Sequence, residues 1–195
     1  MLENIFKKKA EKLLEQFNEK QYLLVIRETK LLLKKVPNNL FLLNLIGSSL
    51  QNLGDLSSAK KIFKNILEMD NKNTSALNNL GNVYKNLKDY SSAEENYKKA
   101  IILNPTFINA LVNYGSLKYE LNNYEEAVEL YKRALNLNNK TPIAHYNLGL
   151  VYQALGRFED AKFHLQSLSE IKPEITAADK ILSRFIKYKD GDPHV

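Results

Sequence analysis

Apolar residues fall at helical spacing in short blocks along the chain, and the blocks themselves recur. Ile5, Phe6, Leu13, Leu14 and Phe17 mark one side of a first block, and Tyr22, Val25, Ile26, Leu32 and Leu33 mark a second before Pro37. Spacings of three and four put such residues on one face of an α-helix. Further on the pattern becomes strictly periodic. Gly47, Gly81, Gly115 and Gly149 stand thirty-four residues apart, as do Ala59, Ala93, Ala127 and Ala161. A third column, always large, holds Leu56, Tyr90, Tyr124 and Phe158, and Pro37, Pro105 and Pro173 fall in phase with Asn71 and Asn139 between them. A fixed period of this length is the mark of a repeat protein.

The blocks predict helices near residues 4–18 and 22–36, 40–53 and 56–69, 74–87 and 90–103, 108–121 and 124–137, and 142–155 and 158–171. Asp55, Asp89 and Asn123 stand where second helices begin, so their side-chain oxygens can cap free backbone N–H groups. Asn123 with Glu126 three residues later has the form of a capping box, and Thr141-Pro142 makes a good helix start. Gly54 and Gly156 read as turn residues. Two helices joined by so short a turn must cross closely, which the Gly and Ala columns allow while aromatics fill the flanks. Tyr84, Tyr97, Tyr114, Tyr131 and Tyr152 are assigned to that packing. The first pair carries Lys12-Leu13 where later pairs carry a small residue, so it is either a degenerate repeat or an amino-terminal cap. After Pro173, residues 174–189 read as one more amphipathic helix, with Ile175, Ala178, Ile181, Leu182, Phe185 and Ile186 on its apolar side, placed to cover the end of the array. Residues 190–195 form a tail.

In the third block the landmarks Leu80-Gly81, Tyr84, Tyr90, Ala93, Tyr97, Ala100 and Pro105 match, place for place, the pattern of the tetratricopeptide repeat, and the chain resembles that family firmly from Leu40 to Pro173. The resemblance implies an all-α, right-handed superhelix of about five helix pairs plus a carboxy-terminal capping helix. Its units would be a degenerate repeat or cap at 1–39 and repeats at 40–73, 74–107, 108–141 and 142–173. Departures from the pattern are Leu43, Leu77, Leu111 and His145 in place of a large aromatic, and Leu50 and Lys118 in place of a tyrosine. Those changes are expected to loosen local packing without altering the architecture.

Composition narrows the function. With 44% hydrophobic and 26% charged residues the chain reads as folded and soluble. It contains no cysteine, which removes disulfides and thiolate chemistry together. The amino-terminal MLENIFKKKAEKLL places charges inside what a signal peptide would keep apolar, and no apolar run approaches the length of about 20 needed to span a bilayer, so a cytoplasmic location is expected. The formal charge of +6 could suit nucleic acid. The lysines are scattered along helix faces, however, without a basic stripe and interleaved aromatics, so nucleic acid is the weaker alternative. His145, His164 and His194 show no metal-ligand spacing, and His145 falls in a packing column. No phosphate loop, nucleophile elbow or paired catalytic carboxylates appear. Neither catalysis nor a metal or other cofactor is expected.

What remains is a surface. First helices of a stacked array line its concave face, and the residues just before the Leu-Gly pair, two before each glycine, look into the groove: Leu45, Asn79, Asn113 and Asn147. Asn44, Asn78 and Asn82 extend the polar strip, and Lys85, Tyr119 and Gln153 flank it. A carboxamide is both donor and acceptor, so a ladder of them can pair with the backbone of an extended peptide without reading its side chains. The resemblance supports this, since tetratricopeptide proteins commonly carry asparagine in that column and glycosyltransferase members hold peptide backbone with such a ladder. Chaperone-binding members instead clamp a terminal carboxylate, but the matching positions here, Asn78, Asn82, Asn113, Ile143 and Asn147, lack the cations. A protein-protein interaction scaffold that binds a partner protein or peptide is therefore expected. A second reading comes from ITAADKILSRFIKYKDGDPHV, which resembles the junction in bacterial proteins that join these repeats to a sulfotransferase domain and would make the chain a substrate-recruitment region of a larger enzyme. Self-association through the ends of the array is left open.

Overall fold

In a computed structural model, which describes residues 2–173 and their side chains from residue 7 onward, the chain is all-helical. Ten helices lie among the described residues: α1 (Leu2–Asn18), α2 (Tyr22–Leu33), α3 (Leu40–Asn52), α4 (Leu56–Met69), α5 (Thr74–Asn86), α6 (Tyr90–Leu103), α7 (Ile108–Glu120), α8 (Tyr124–Leu137), α9 (Pro142–Ala154) and α10 (Phe158–Ile171). They follow the expected boundaries within a few residues. The largest difference is α2, which stops at Leu33 rather than running to Val36 and ends in a turn in which the Lys35 and Val36 N–H groups both donate to the Leu32 carbonyl, at 2.9 and 3.1 Å. The predicted helix at 174–189 and the tail lie outside the described residues.

The chain divides into two compact units, residues 1–103 and 104–195. In the first, α1 packs on α2, α2 on α3, α3 on α4, α4 on α5 and α5 on α6; in the second, α7 packs on α8, α8 on α9 and α9 on α10. Within each unit every helix thus packs on the next in sequence, the contact pattern of a helical solenoid.

The small-residue columns sit where paired helices cross. A Cβ added to Gly81 would lie 2.6 Å from the Tyr97 ring, at Gly47 2.6 Å from Phe63, at Gly115 2.6 Å from Tyr131, and at Gly149 2.7 Å from Leu165. Ala59, Ala93, Ala127 and Ala161 are fully buried beside them. Of the five tyrosines assigned to packing, Tyr97, Tyr114, Tyr131 and Tyr152 are buried, while Tyr84 is half-buried beneath the Lys60 ammonium, 4.7 Å from its ring.

In the first pair Leu13 stands in the glycine column and Thr29 in the ring column, and both are buried. The turns keep one phase: Lys20, Gly54, Lys88, Asn122 and Gly156, again thirty-four apart, all adopt positive φ, at 62°, 85°, 63°, 60° and 70°. Lys9 and Lys12 stand in the columns that hold Leu43 and Ile46 one repeat on, and both are exposed where Leu43 and Ile46 are buried.

Capping follows the sequence only in part. Asp55 accepts from the Ser58 N–H at 3.0 Å and Asp89 from that of Ser92 at 3.2 Å; the Asp55 carboxyl is lowered by that N–H and then by the Ser58 hydroxyl, the Asp89 carboxyl by the Ser92 hydroxyl first and then by its N–H. Asn39 and Asn73 cap α3 and α5 in the same way. The capping box at Asn123 does not form, because Asn123 makes no side-chain cap and Glu126 turns instead to the Lys118 ammonium, 2.9 Å away. Thr141 precedes α9 without capping it and donates its hydroxyl to the Asn138 carbonyl at 2.7 Å. The same ion pair answers the expectation of loose packing at Lys118. Its side chain is buried, with its charge satisfied by Glu126 and its ammonium 5.3 Å from the Tyr114 ring centre. Leu50 is half-buried and packs on the core formed by Leu43, Phe63 and Leu80.

Candidate peptide-binding strip

The predicted strip divides between the two units. In the first unit, α3 and α5 bring Asn44, Asn78 and Asn79 together. The Asn79 amide donates to the Asn44 carboxamide oxygen at 3.4 Å, and the Asn78 amide donates to the Asn79 oxygen at 3.2 Å. Asn44 is anchored in turn by donating to the Leu40 carbonyl at 3.1 Å. This is a ladder between successive repeats, although the rung on α3 is Asn44 and not the residue in the predicted column. Leu45 is turned into the core with Leu13, Val25 and Leu42 and does not face a groove. Asn78 is itself only 5% exposed, so it braces Asn79 and offers little surface of its own. Asn82 and Lys85 follow on α5, both half-buried.

A buried tyrosine holds the next rung. Tyr97 is fully buried in α6, yet its hydroxyl emerges beside α5 and donates to the Asn82 oxygen at 2.6 Å. In the second unit Tyr131 plays the same part from α8 and shares a hydrogen bond with Asn147 on α9. Burial raises the Tyr131 phenol well above its ordinary value, against the lowering effect of that bond, so it stays protonated at neutral pH. Tyr119 lies close enough to bear on the same hydroxyl, and its ring is 5.6 Å from Tyr124. Asn113 and Gln153 are half-buried on α7 and α9.

These bonds fix what the strip can do. A carboxamide oxygen that already accepts one bond keeps a second lone pair, and an amide that donates once keeps a second N–H. Asn79 therefore holds its plane through two neighbours and still has one donor and one acceptor site to offer. The tyrosine contribution was not anticipated from sequence. Its signal was there, since Tyr97 and Tyr131 are the two repeats in which the ring column carries a phenol, where Phe63 and Leu165 carry no hydroxyl.

Comparison with known proteins places the fold. Tetratricopeptide repeat models match residues 74–107, 42–73 and 143–175, and a further TPR repeat model matches 115–156. The chain belongs to the tetratricopeptide repeat family. No curated protein sequence matches it significantly. Among solved structures it is similar to TTC0263, a thermophilic TPR protein in Thermus thermophilus, with a TM-score of 0.81 and 17% identity over 91% of this chain and 97% of that one. It is also similar to YrrB, a TPR protein with an unusual peptide-binding site, with a TM-score of 0.63 and 19% identity over 85% of each chain. MamA from Desulfovibrio magneticus RS-1 matches with a TM-score of 0.65 and 19% identity over 88% of this chain and 96% of that one. Tetratricopeptide arrays are protein-interaction scaffolds, and this chain is one of them. No helix among the described residues is long and apolar enough to cross a membrane.

Proposed function

We propose that the strip binds an extended stretch of polypeptide through its backbone. The observation that carries this reading is the bonded series Asn44, Asn79 and Asn78, which holds one carboxamide in a fixed plane between two repeats. Preorganised amides lose little side-chain freedom on binding, so their hydrogen bonds to a peptide N–H and C=O are won at lower entropic cost. Asn82 and Asn147, each held by a buried tyrosine, add further fixed amides, and Asn113, Lys85, Tyr119 and Gln153 supply the flanks. The ligand class is a protein or peptide recognised with little regard for its side chains. The peptide-binding site named for the similar structure of YrrB is consistent with this.

The test is to change Asn79, Asn113 and Asn147 together to alanine and to measure retention of partners on the immobilised protein, alongside a panel of unrelated extended peptides. Loss of capture of about tenfold or more with unchanged helicity is expected, from two or three hydrogen bonds at ~0.5–1.5 kcal/mol each. Equal capture by the folded variant would remove the strip from the function. The alternative role as the recruitment region of a sulfotransferase rests on residues 175–195, which lie outside the described residues.

A further inference from the structure

The fifth helix pair contains an arrangement that no other pair has. His145 on α9 and His164 on α10 face each other with their Nδ1 atoms 3.0 Å apart and their ring centres 5.2 Å apart. Their columns hold Leu43 and Ile62, Leu77 and Asn96, and Leu111 and Leu130 in the three preceding repeats. An apolar or mixed contact has thus become a pair of titratable rings.

The proton inventory of the pair follows from its partners. His145 Nε2 lies 2.9 Å from the Asn139 carbonyl, which can only accept, so this nitrogen carries a hydrogen. The neutral ring then has a bare Nδ1, and the bond across to His164 requires His164 Nδ1 to be the donor. The two rings therefore work as one unit with a single proton between them. The chain from α10 through α9 to the loop before α9 is continuous.

The bond survives as long as one of the two facing nitrogens can accept, and it is lost when both rings are cations, which leaves two N–H groups in opposition. The ring whose charging matters is His164, which lies stacked on Tyr152, at 5.6 Å and 15°, with Phe163 edge-on. The charged surroundings do not compensate. Lys132 from α8 opposes a cation there, and Asp160, one turn earlier on α10, favours it but is already bound to Arg157 at 2.7 Å. Burial first, and then the other histidine, push His164 down to about 4.

A metal ion is the obvious competitor. Nitrogens 3.0 Å apart that point at one another leave only half that distance to a shared centre, well short of the ~2.0–2.1 Å of a zinc–nitrogen bond. Among the described residues no third His, Cys, Asp or Glu completes a set.

We propose that the His145–His164 pair is a proton-sensitive fastener, which holds α9 and α10 together while His164 is neutral and releases them when acid charges it. The sign follows from linkage. In the unfolded chain His164 takes up its proton near the ordinary histidine value of about 6.5, before it does so in the folded pair. Stability is therefore full above that value and falls as the pH drops from 6.5 toward 4. The inference is independent of peptide binding.

The test is urea unfolding of the full chain between about pH 7.5 and 4.5, for the native protein and for His145→Leu/His164→Leu, which copies Leu111 and Leu130. The midpoint of the native protein should fall across this window, and the variant should lose that part of the fall. Nitrogen NMR of the imidazoles should show His164 still neutral at about pH 5.5, where a free histidine is about nine-tenths protonated. If the double variant does not fold, His164→Asn, the residue found at position 96, serves instead. Identical pH profiles for native and variant proteins, or a His164 ring that titrates near the ordinary value of about 6.5, would overturn the proposal. So would a rise in the native midpoint with zinc at neutral pH that the variant lacks, since it would make the pair a metal site.

Discussion

The first and third helix pairs solve the same crossing with opposite choices. In the third, Gly81 yields its space to the ring of Tyr97; in the first, the same two columns hold a large Leu13 and a small Thr29, both buried. Both crossings are buried and both pairs keep the same turn, with Lys20 and Lys88 at φ of 62° and 63°. The architecture therefore asks for a shared volume at the crossing rather than for glycine itself. What differs is the polar consequence. Tyr97 carries its hydroxyl through to Asn82, whereas the Thr29 hydroxyl has no partner among the described residues.

The strongest way to break this comparison is to put a large residue on both sides at once. Gly81→Leu drives a side chain into the Tyr97 ring and should destabilise the chain by about 3 kcal/mol in urea unfolding. Adding Tyr97→Thr copies the first pair and should recover more than half of that loss. A double variant no more stable than the single one would mean that the two crossings are not equivalent.

Smaller changes sharpen the polar difference. Tyr97→Phe keeps the ring and removes only the bond to Asn82, with an expected cost of about 1 kcal/mol by the same measurement. Thr29→Val keeps the shape and removes a buried hydroxyl without a partner, so it should stabilise by up to about 1 kcal/mol. The smallest effect is at the turns. Lys88→Gly relieves a left-handed backbone at some entropic cost and should raise stability by about 0.5 kcal/mol, and the same change at Lys20, the counterpart of Gly54, should do likewise.

Much of the fold was legible because its requirements are written one residue at a time. A column of glycine at Gly47, Gly81, Gly115 and Gly149 shows itself by spacing alone, and so do the caps at Asp55 and Asp89. What escaped was written in pairs. Leu13 and Thr29 each look like a departure from the pattern and read as an exchange of sizes only when set side by side. His145 and His164 are nineteen residues apart and meet only because their columns face across the helix pair. Asn123 and Glu126 had the spacing of a capping box, yet a buried ammonium at Lys118 is a stronger claim on a carboxylate than a backbone N–H.

The strip was legible in composition and less so in orientation. Asn78 and Asn79 are identical and adjacent, and only the rotation of α5 decides that the first is buried and the second half-exposed. The same rotation on α3 buries Leu45 and leaves Asn44 to make the rung. Side-chain bonds of this kind depend on angles that a thirty-four-residue spacing does not specify.

The turn residues at 20, 54, 88, 122 and 156 keep one phase from the first pair to the last, so the chain can be edited by whole periods. Excising 74–107 would join Asn73 directly to Ile108 and keep every later residue in its role. It would even improve one junction: α7 now starts after Phe107, which makes no side-chain cap, and would start instead after an asparagine that already caps α5. A shortened protein of this kind, or one lengthened by a duplicate of the same segment, gives a ruler with which the reach of any bound polypeptide can be measured.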